Sequence, residues 1–202
     1  MTTGNYITNF DFKILDFIAD NIRCEVLDPI MAGITHFADA GIGWILLGVI
    51  LLIPKKTRIW GAMALVAMVI GFLCGDIILK NLFCRVRPYN DYIMFHQGNS
   101  LPFLLNAGKE SSYSFPSGHT CCSFASAIVY FIANKKWGIP ALIFASLIGF
   151  SRMYNYVHYP TDVFAGMLLG IGCGLLAWYL FKKFQVNKKL KVKPVVADIK
   201  EK

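Results

Sequence analysis

The chain has 202 residues, of which 56% are hydrophobic and only 16% are charged. A soluble domain carries about 25% charged residues because water must wet its surface, so this composition excludes an ordinary soluble protein and indicates a membrane protein of one domain. Most of the formal charge of +8 comes from lysines in residues 182–202, so no basic face is expected on the folded body and nucleic acid is not expected as a partner.

The first predicted element is an N-terminal amphipathic arm over residues 1–23. Its apolar residues are interleaved with charged ones and are Phe10, Ile14, Leu15, Phe17 and Ile18. This pattern predicts a helix that lies in the membrane interface, although a solvated helical arm is an open alternative.

Six apolar segments follow, and each is predicted to form a membrane-spanning helix. They are residues 24–38, 41–53, 59–79, 119–133, 137–150 and 163–181. A helix needs about 20 residues to cross the hydrocarbon, so the shorter segments must include their flanks. The predicted fold is all-α: a bundle of six transmembrane helices over residues 24–181, followed by a basic tail over residues 182–202.

Short basic loops predict how this bundle is oriented. Residues 54–58 follow the second segment, residues 134–136 follow the fourth, and the lysine tail follows the sixth. Basic loops stay in the cytoplasm, so both termini are predicted to be cytoplasmic in a multi-pass protein of the plasma membrane. Segments 80–118 and 151–161 then meet on the extracytoplasmic side.

Small residues mark the last predicted helix. Gly166, Gly170 and Gly174 recur every fourth residue, and small residues at this spacing let two helices approach closely. The six cysteines include no Cys-x-x-Cys pair, so they are interpreted as small apolar residues and not as metal ligands.

Three polar clusters stand at the ends of the predicted helices. The first contains Lys80, Arg87 and Pro88, the second Ser117, Gly118 and His119, and the third Ser151, Arg152, His158 and Asp162. Cations at membrane ends are costly and usually functional. Guanidinium forks and ammonium groups bind phosphate, and backbone N–H groups at a helix start also favour an anion. The clusters therefore predict an anion site.

The histidines predict phosphate chemistry at that site. Asp162 can hold one imidazole nitrogen of His158 protonated, which leaves the other as a base or nucleophile. His119 is the natural proton donor for a leaving oxygen. Because cations and N–H groups already neutralise the phosphate oxygens, neither a metal nor a cofactor is expected.

These clusters resemble the type 2 phosphatidic acid phosphatase family, which shares its core with vanadium-dependent haloperoxidases. The family motifs Lys-x6-Arg-Pro, Pro-Ser-Gly-His and Ser-Arg-x5-His-x3-Asp match residues 80–88, 116–119 and 151–162. The resemblance covers roughly residues 25–180 and implies a membrane lipid phosphatase. It implies His158 as the nucleophile that becomes phosphohistidine, Asp162 as its partner and His119 as the general acid. The implied phosphate-binding residues are Lys80, Arg87, Ser117, Gly118 and Arg152.

The short chain is most similar, within this family, to bacterial undecaprenyl-diphosphate phosphatases. Phosphatidylglycerophosphate or phosphatidic acid is the alternative substrate, so the expected partners are a lipid phosphate and the bilayer. An inactive lipid-binding scaffold is a remote alternative that requires a broken motif, and none is broken. A haloperoxidase is a further alternative, but enzymes of that kind resemble soluble proteins without these membrane spans.

Other polar residues receive plainer interpretations. Lys80 has an alternative as the ion-pair partner of Asp76, four residues earlier. Arg85 is interpreted as a surface charge, and Ser151 is ranked below Arg152. His36, His96, Asp39 and Asp91 are interpreted as structural residues. The outer loop over residues 89–113 is either a half-buried lid or simply a packed loop.

Overall fold

The computed structural model describes residues 3–95 and 112–184, and every regular element within them is helical. The α-helices are α1 (Thr3–Asn21), α2 (Leu27–Phe37), α3 (Ile42–Leu52), α4 (Arg58–Gly71), α5 (Lys80–Phe83), α6 (Pro88–Phe95), α7 (Gly118–Ala133), α8 (Lys135–Tyr154) and α9 (Pro160–Phe184). A 3₁₀ turn at Asp39–Gly41 joins α2 to α3, and a π-helical segment at Phe72–Leu79 joins α4 to α5. The predicted all-α class is confirmed.

Several of these helices have the length and composition of membrane spans. Within the described ranges, the stretches Arg58–Tyr92 and Pro160–Lys183 each suffice to cross a bilayer. Helices α2 and α3 can form a third span together, with a bend of 46° between them. Helix α7 is apolar but shorter. Such helices fit the membrane protein that the composition predicts.

Helix α7 is the centre of the bundle, because it packs against α4, α8 and α9. Its Ala125 and Val129 are completely buried. The indole Nε1 of Trp44 donates a hydrogen bond of 2.9 Å to Ser123 Oγ. This bond satisfies a buried polar group and ties α3 to α7.

Glycines bring α9 into direct contact with α7. A Cβ atom on Gly166 would lie 2.6 Å from Ser117 O, and one on Gly170 would lie 2.4 Å from Cys121 O. No side chain fits at such distances, so the packing role predicted for these glycines is confirmed. The close approach also brings together the starts of the two helices, where Ser117 N donates to Asp162 O at 3.1 Å.

Helix α1 packs against the protein. Phe12 and Leu15 are fully buried, and with Tyr156 and Tyr159 they form one apolar cluster. The arm is therefore docked on the bundle through this face. Asp11 of α1 is fully buried as well, and it accepts hydrogen bonds from Thr161 N at 3.1 Å and Thr161 Oγ1 at 2.7 Å.

Two left-handed residues turn the chain back at the polar end of the bundle. Cys84, which follows α5, has a φ of 46°, and Tyr156, which follows α8, has a φ of 59°. A left-handed residue commonly ends a helix. The residues that follow these turns include Arg87 and His158, which are 2% and 1% exposed. The loop prediction beyond α6, with His96, and the tail prediction beyond Phe184 fall outside the described residues.

Candidate active site

His158 lies between a cation and a carboxylate. Its Nε2 is 3.1 Å from Arg87 Nη1, and its Nδ1 is 3.4 Å from Asp162 Oδ2. A guanidinium can only donate, so Nε2 presents its lone pair there and the ring proton lies on Nδ1, toward the carboxylate. An imidazole held in this tautomer can attack phosphorus through Nε2.

Backbone contacts fix the position of this ring. Val157 N and His158 N both donate to Arg152 O, at 3.1 and 3.3 Å. Arg87 Nη1 also donates to Val157 O at 3.0 Å. The turn between α8 and α9 is thus held from both sides, and the histidine cannot leave without breaking several bonds.

Asp162 is surrounded by donors other than His158. Arg85 Nη1 lies 2.6 Å from Oδ1, Tyr159 N donates to Oδ2 at 3.0 Å, and Ser114 Oγ donates to Oδ2 as well. Hydrogen bonds of this kind fix the orientation of the carboxylate. Asp162 is fully buried, so these donors replace its hydration.

Arg85 is a partly buried cation that pairs with two buried carboxylates, and its interpretation as a surface charge is wrong. Its side chain is 20% exposed, and it pairs with Asp11 through Nη2 at 2.6 Å as well as with Asp162. The guanidinium carbon lies 3.8 Å from the centre of the Tyr159 ring, a cation–π contact. The sequence signal that could have pointed to Arg85 was its position inside the Lys-x6-Arg-Pro motif, between Lys80 and Arg87.

Lys80 and Arg87 converge on Ser112, a residue of the segment that precedes α7. Ser112 Oγ accepts from Lys80 Nζ at 3.4 Å and from Arg87 Nη2 at 3.0 Å, while Ser112 O accepts from Arg87 Nε at 2.8 Å. Lys80 is 6% exposed and also pairs with Asp76 at 2.5 Å. The ion pair offered as an alternative is therefore present, and it accompanies the convergence of the two cations.

Helix α7 begins beside these cations. Ser117 is its N-cap, and Ser117 Oγ accepts from Thr120 N at 3.4 Å. A Cβ on Gly118 would lie 3.0 Å from both carboxylate oxygens of Asp76, so a larger residue would crowd that group. The N–H groups of the first turn make this end a favourable place for an anion.

His119 contacts a carboxylate that was interpreted as structural. Its Nε2 lies 2.9 Å from Asp39 Oδ1, and His36 Nδ1 lies 2.7 Å from Asp39 Oδ2. The sequence signal was an acidic residue between two apolar segments, where charge is costly. Asp39 therefore belongs to the candidate site with His119.

Arg152 is joined to the site through its backbone carbonyl, described above. Its Nη1 donates to Thr35 Oγ1 of α2 at 2.6 Å, and the residue is 1% exposed. Ser151 Oγ donates to Ile148 O at 2.7 Å, a local bond within α8. This agrees with the lower rank given to Ser151.

A cavity of about 810 Å³ opens beside His119. Its polar lining includes Asp39, Asp76, Lys80, Ser112, Gly118 and His119, and its apolar lining includes Ile45, Leu65, Met68, Val69 and Phe72. The space is thus polar on some walls and apolar on others, which suits an amphiphile. No cluster of three or more potential metal-ligating side chains occurs within residues 3–95 and 112–184.

Comparisons with known proteins identify a family and several relatives. The family model described as PAP2 superfamily matches residues 59–185. An undecaprenyl-diphosphatase from Sulfolobus acidocaldarius is 32% identical over 198 residues, 98% of this chain and 88% of the relative. Undecaprenyl-diphosphatase BcrC from Bacillus subtilis is 33% identical over 153 residues, 75% of this chain and 74% of the relative.

A solved structure is similar as well. The crystal structure of a PAP2-type phosphatidylglycerolphosphate phosphatase from Bacillus subtilis matches with a TM-score of 0.63 and 26% identity, covering 94% of this chain and 100% of that one.

Proposed function

The chain belongs to the PAP2 superfamily, and from this premise we propose that it hydrolyses undecaprenyl diphosphate to the monophosphate. Its relatives make it a lipid phosphatase, a hydrolase of phosphoric esters. The contact of His158 with Arg87 and Asp162 carries the mechanistic part of the proposal, because it supplies a nucleophile and a phosphate-binding cation at one point.

In the first step, His158 Nε2 attacks the terminal phosphorus. A nitrogen–phosphorus bond forms as the bond to the leaving oxygen breaks, and His119 gives that oxygen a proton. In the second step, water attacks the phosphohistidine, and His119 takes a proton from it. The nitrogen–phosphorus bond breaks, inorganic phosphate leaves, and both histidines return to their starting states.

Positive charge stabilises both transition states. Lys80, Arg87 and Arg152 are proposed to bind the equatorial oxygens, with N–H groups at Ser117 and Gly118. The shared contact of Lys80 and Arg87 with Ser112 supports this assignment, because it brings two cations to one small oxygen. Asp162 holds the His158 proton and stabilises the ring as it becomes positive.

The cavity beside His119, which has both polar and apolar walls, supports a lipid substrate. Lys80, His119 and Gly118 supply polar walls, and α3, α4 and α7 supply apolar walls for the chain. Phosphatidylglycerophosphate is the second candidate, because a phosphatase named for it aligns over nearly the whole chain.

The membrane arrangement is proposed as a bundle of spanning helices within residues 24–181, in which α2 and α3 form one bent span instead of two of the six predicted spans. Helix α1 is proposed as an interfacial helix over the arm at residues 1–23. Helix α5 ends at the site, and α7 and α9 begin there. The basic loops 54–58 and 134–136 and the tail at 182–202 lie at the ends of α3, α7 and α9 that point away from the site. This charge asymmetry supports a cytoplasmic C-terminus and a site on the extracytoplasmic side of the plasma membrane. The hydrogen bond between Asp11 and Thr161 then puts α1 on the side of the site, so the predicted cytoplasmic N-terminus is not proposed. Lys182 lies 5.0 Å from the Trp178 ring, as at an interface.

A phosphate-release assay of the purified protein tests the substrate. The panel contains undecaprenyl diphosphate, phosphatidylglycerophosphate and phosphatidic acid in the same detergent. We expect the highest kcat/KM for undecaprenyl diphosphate. A higher value for phosphatidylglycerophosphate would favour the second candidate, and no release from any of them would contradict the lipid phosphatase itself.

A further inference from the structure

A chain of three side chains runs from His119 toward solvent. His119 Nε2 lies 2.9 Å from Asp39 Oδ1, and Asp39 Oδ2 lies 2.7 Å from His36 Nδ1. The side chains of His119, Asp39 and His36 are 14%, 47% and 55% exposed. They come from three different elements, α7, the 3₁₀ turn and α2, so their alignment is a product of the tertiary fold.

We propose that Asp39 is the positioning residue of the general acid His119, and that His36 holds Asp39 from its other side. The inference rests on the proposed function, since it takes His119 as the proton donor. An ionised carboxylate can only accept hydrogen bonds. The contact with Asp39 therefore keeps a proton on His119 Nε2 in every charge state of the ring.

This contact decides which proton is transferred. With Nε2–H bound to Asp39, the proton that passes to the leaving oxygen comes from Nδ1, and the neutral ring keeps its proton on Nε2. When water attacks the phosphohistidine, Nδ1 takes the proton back. Without Asp39, the neutral ring exchanges between two tautomers, and the carboxylate no longer stabilises the imidazolium.

Asp76 and Lys80 are the other charged side chains among the described residues that line the cavity beside His119. They form an ion pair of 2.5 Å with each other. Cys122, one turn further along α7, donates through Sγ to His119 O at 3.3 Å. Asp39 is therefore the carboxylate in direct contact with the His119 ring among the described hydrogen bonds.

The pH profile of kcat/KM separates positioning from a merely structural role. A donor that must be protonated produces an alkaline limb in this profile. An opposite charge within hydrogen-bond distance shifts ionisation by about 1–3 units. We expect Asp39→Asn to move the alkaline limb about one unit toward lower pH and to reduce kcat about 10–100-fold, as loss of an orienting partner does at other imidazoles.

Two variants complete the test. His36→Leu removes the second hydrogen bond and is expected to move the limb in the same direction by less, whereas His36→Gln keeps a donor and should leave it close to the wild type. The matched control is Asp28→Asn, which removes a carboxylate of α2 that contacts Arg23 and Tyr154 instead of the site. The control should leave the limb unchanged.

The profile of His119→Ala distinguishes failure of this inference from failure of the mechanism. If His119→Ala lacks the alkaline limb while Asp39→Asn keeps it at the wild-type pH, Asp39 does not position the acid. If His119→Ala keeps the alkaline limb, His119 is not the proton donor, and the proposed mechanism itself is contradicted. Thermal unfolding of each variant in detergent checks that the fold is intact. The half-exposed positions Asp39 and His36 are expected to match the wild type.

Discussion

Arg85 joins Asp162 to the N-terminal helix: its Nη1 lies 2.6 Å from Asp162 Oδ1 and its Nη2 lies 2.6 Å from Asp11 Oδ2. Both carboxylates are fully buried, so one guanidinium replaces much of the hydration that each has lost. The orientation of Asp162, and through it the His158 tautomer, thus depends on a residue outside the motif positions.

Replacement of Arg85 should therefore damage both stability and activity. Removing one partner of a buried ion pair costs about 3–5 kcal/mol because the remaining charge stays buried. We expect Arg85→Gln to lower the unfolding temperature clearly and to reduce kcat about 10–100-fold. Arg23→Gln is the control, since Arg23 pairs at 3.3 Å with Asp28, whose side chain is 26% exposed, and not with Asp162. Equal effects of the two changes would contradict the special position of Arg85.

His158→Ala should abolish turnover and phosphoenzyme formation together. Phosphohistidine is labile in acid, so the measurement is labelling with a radioactive lipid phosphate followed by an alkaline quench. His119→Ala is the informative comparison, because a protein that keeps its nucleophile can still be labelled. Acid-labile labelling that persists in His158→Ala would refute His158 as the nucleophile.

Close contact between α7 and α9 should make Gly170 sensitive to a single methyl group. A Cβ there meets Cys121 O at 2.4 Å, whereas a Cβ on Gly172 in the same helix meets nothing within 4 Å. Overpacking costs about 1–3 kcal/mol, and alanine favours a helix interior over glycine by about 1 kcal/mol. We expect Gly170→Ala to lower the unfolding temperature and Gly172→Ala to preserve or raise it. The reverse order would contradict the described packing.

Chelation should leave activity nearly intact. The proposed mechanism neutralises phosphate with Lys80, Arg87 and Arg152 and assigns no step to a metal ion. Phosphate release is measured before and after incubation with EDTA, with a metal-dependent phosphatase assayed in parallel as the positive control. Loss of most activity, with recovery on adding a divalent cation, would overturn this mechanism.

The apolar segments and the three motifs predicted much of what the structure contains. Helix positions followed from hydrophobic runs, and the motif residues His158, Asp162 and Arg87 lie in contact. These features are readable because each depends on local spacing or on a specific pattern of residue types.

The supporting residues could not be found in this way. Arg85 contacts Asp11 across 74 positions, and His119 contacts Asp39 across 80 positions. Such partners are chosen by how helices pack and not by periodicity along the chain. A lone carboxylate in a short turn or an amphipathic helix has no local signature for the site that it will join.

The hydrogen bonds of Asp11 limit where the chain can be truncated. Its carboxylate accepts both Thr161 N and Thr161 Oγ1, so it caps the first turn of α9 from another part of the chain. A truncated protein starting at Cys24 would retain all three sequence motifs and still lose the acceptor that finishes the helix bearing Asp162. In purified fragments designed on motif boundaries alone, Thr161 N at the start of α9 would thus lack this hydrogen-bond acceptor.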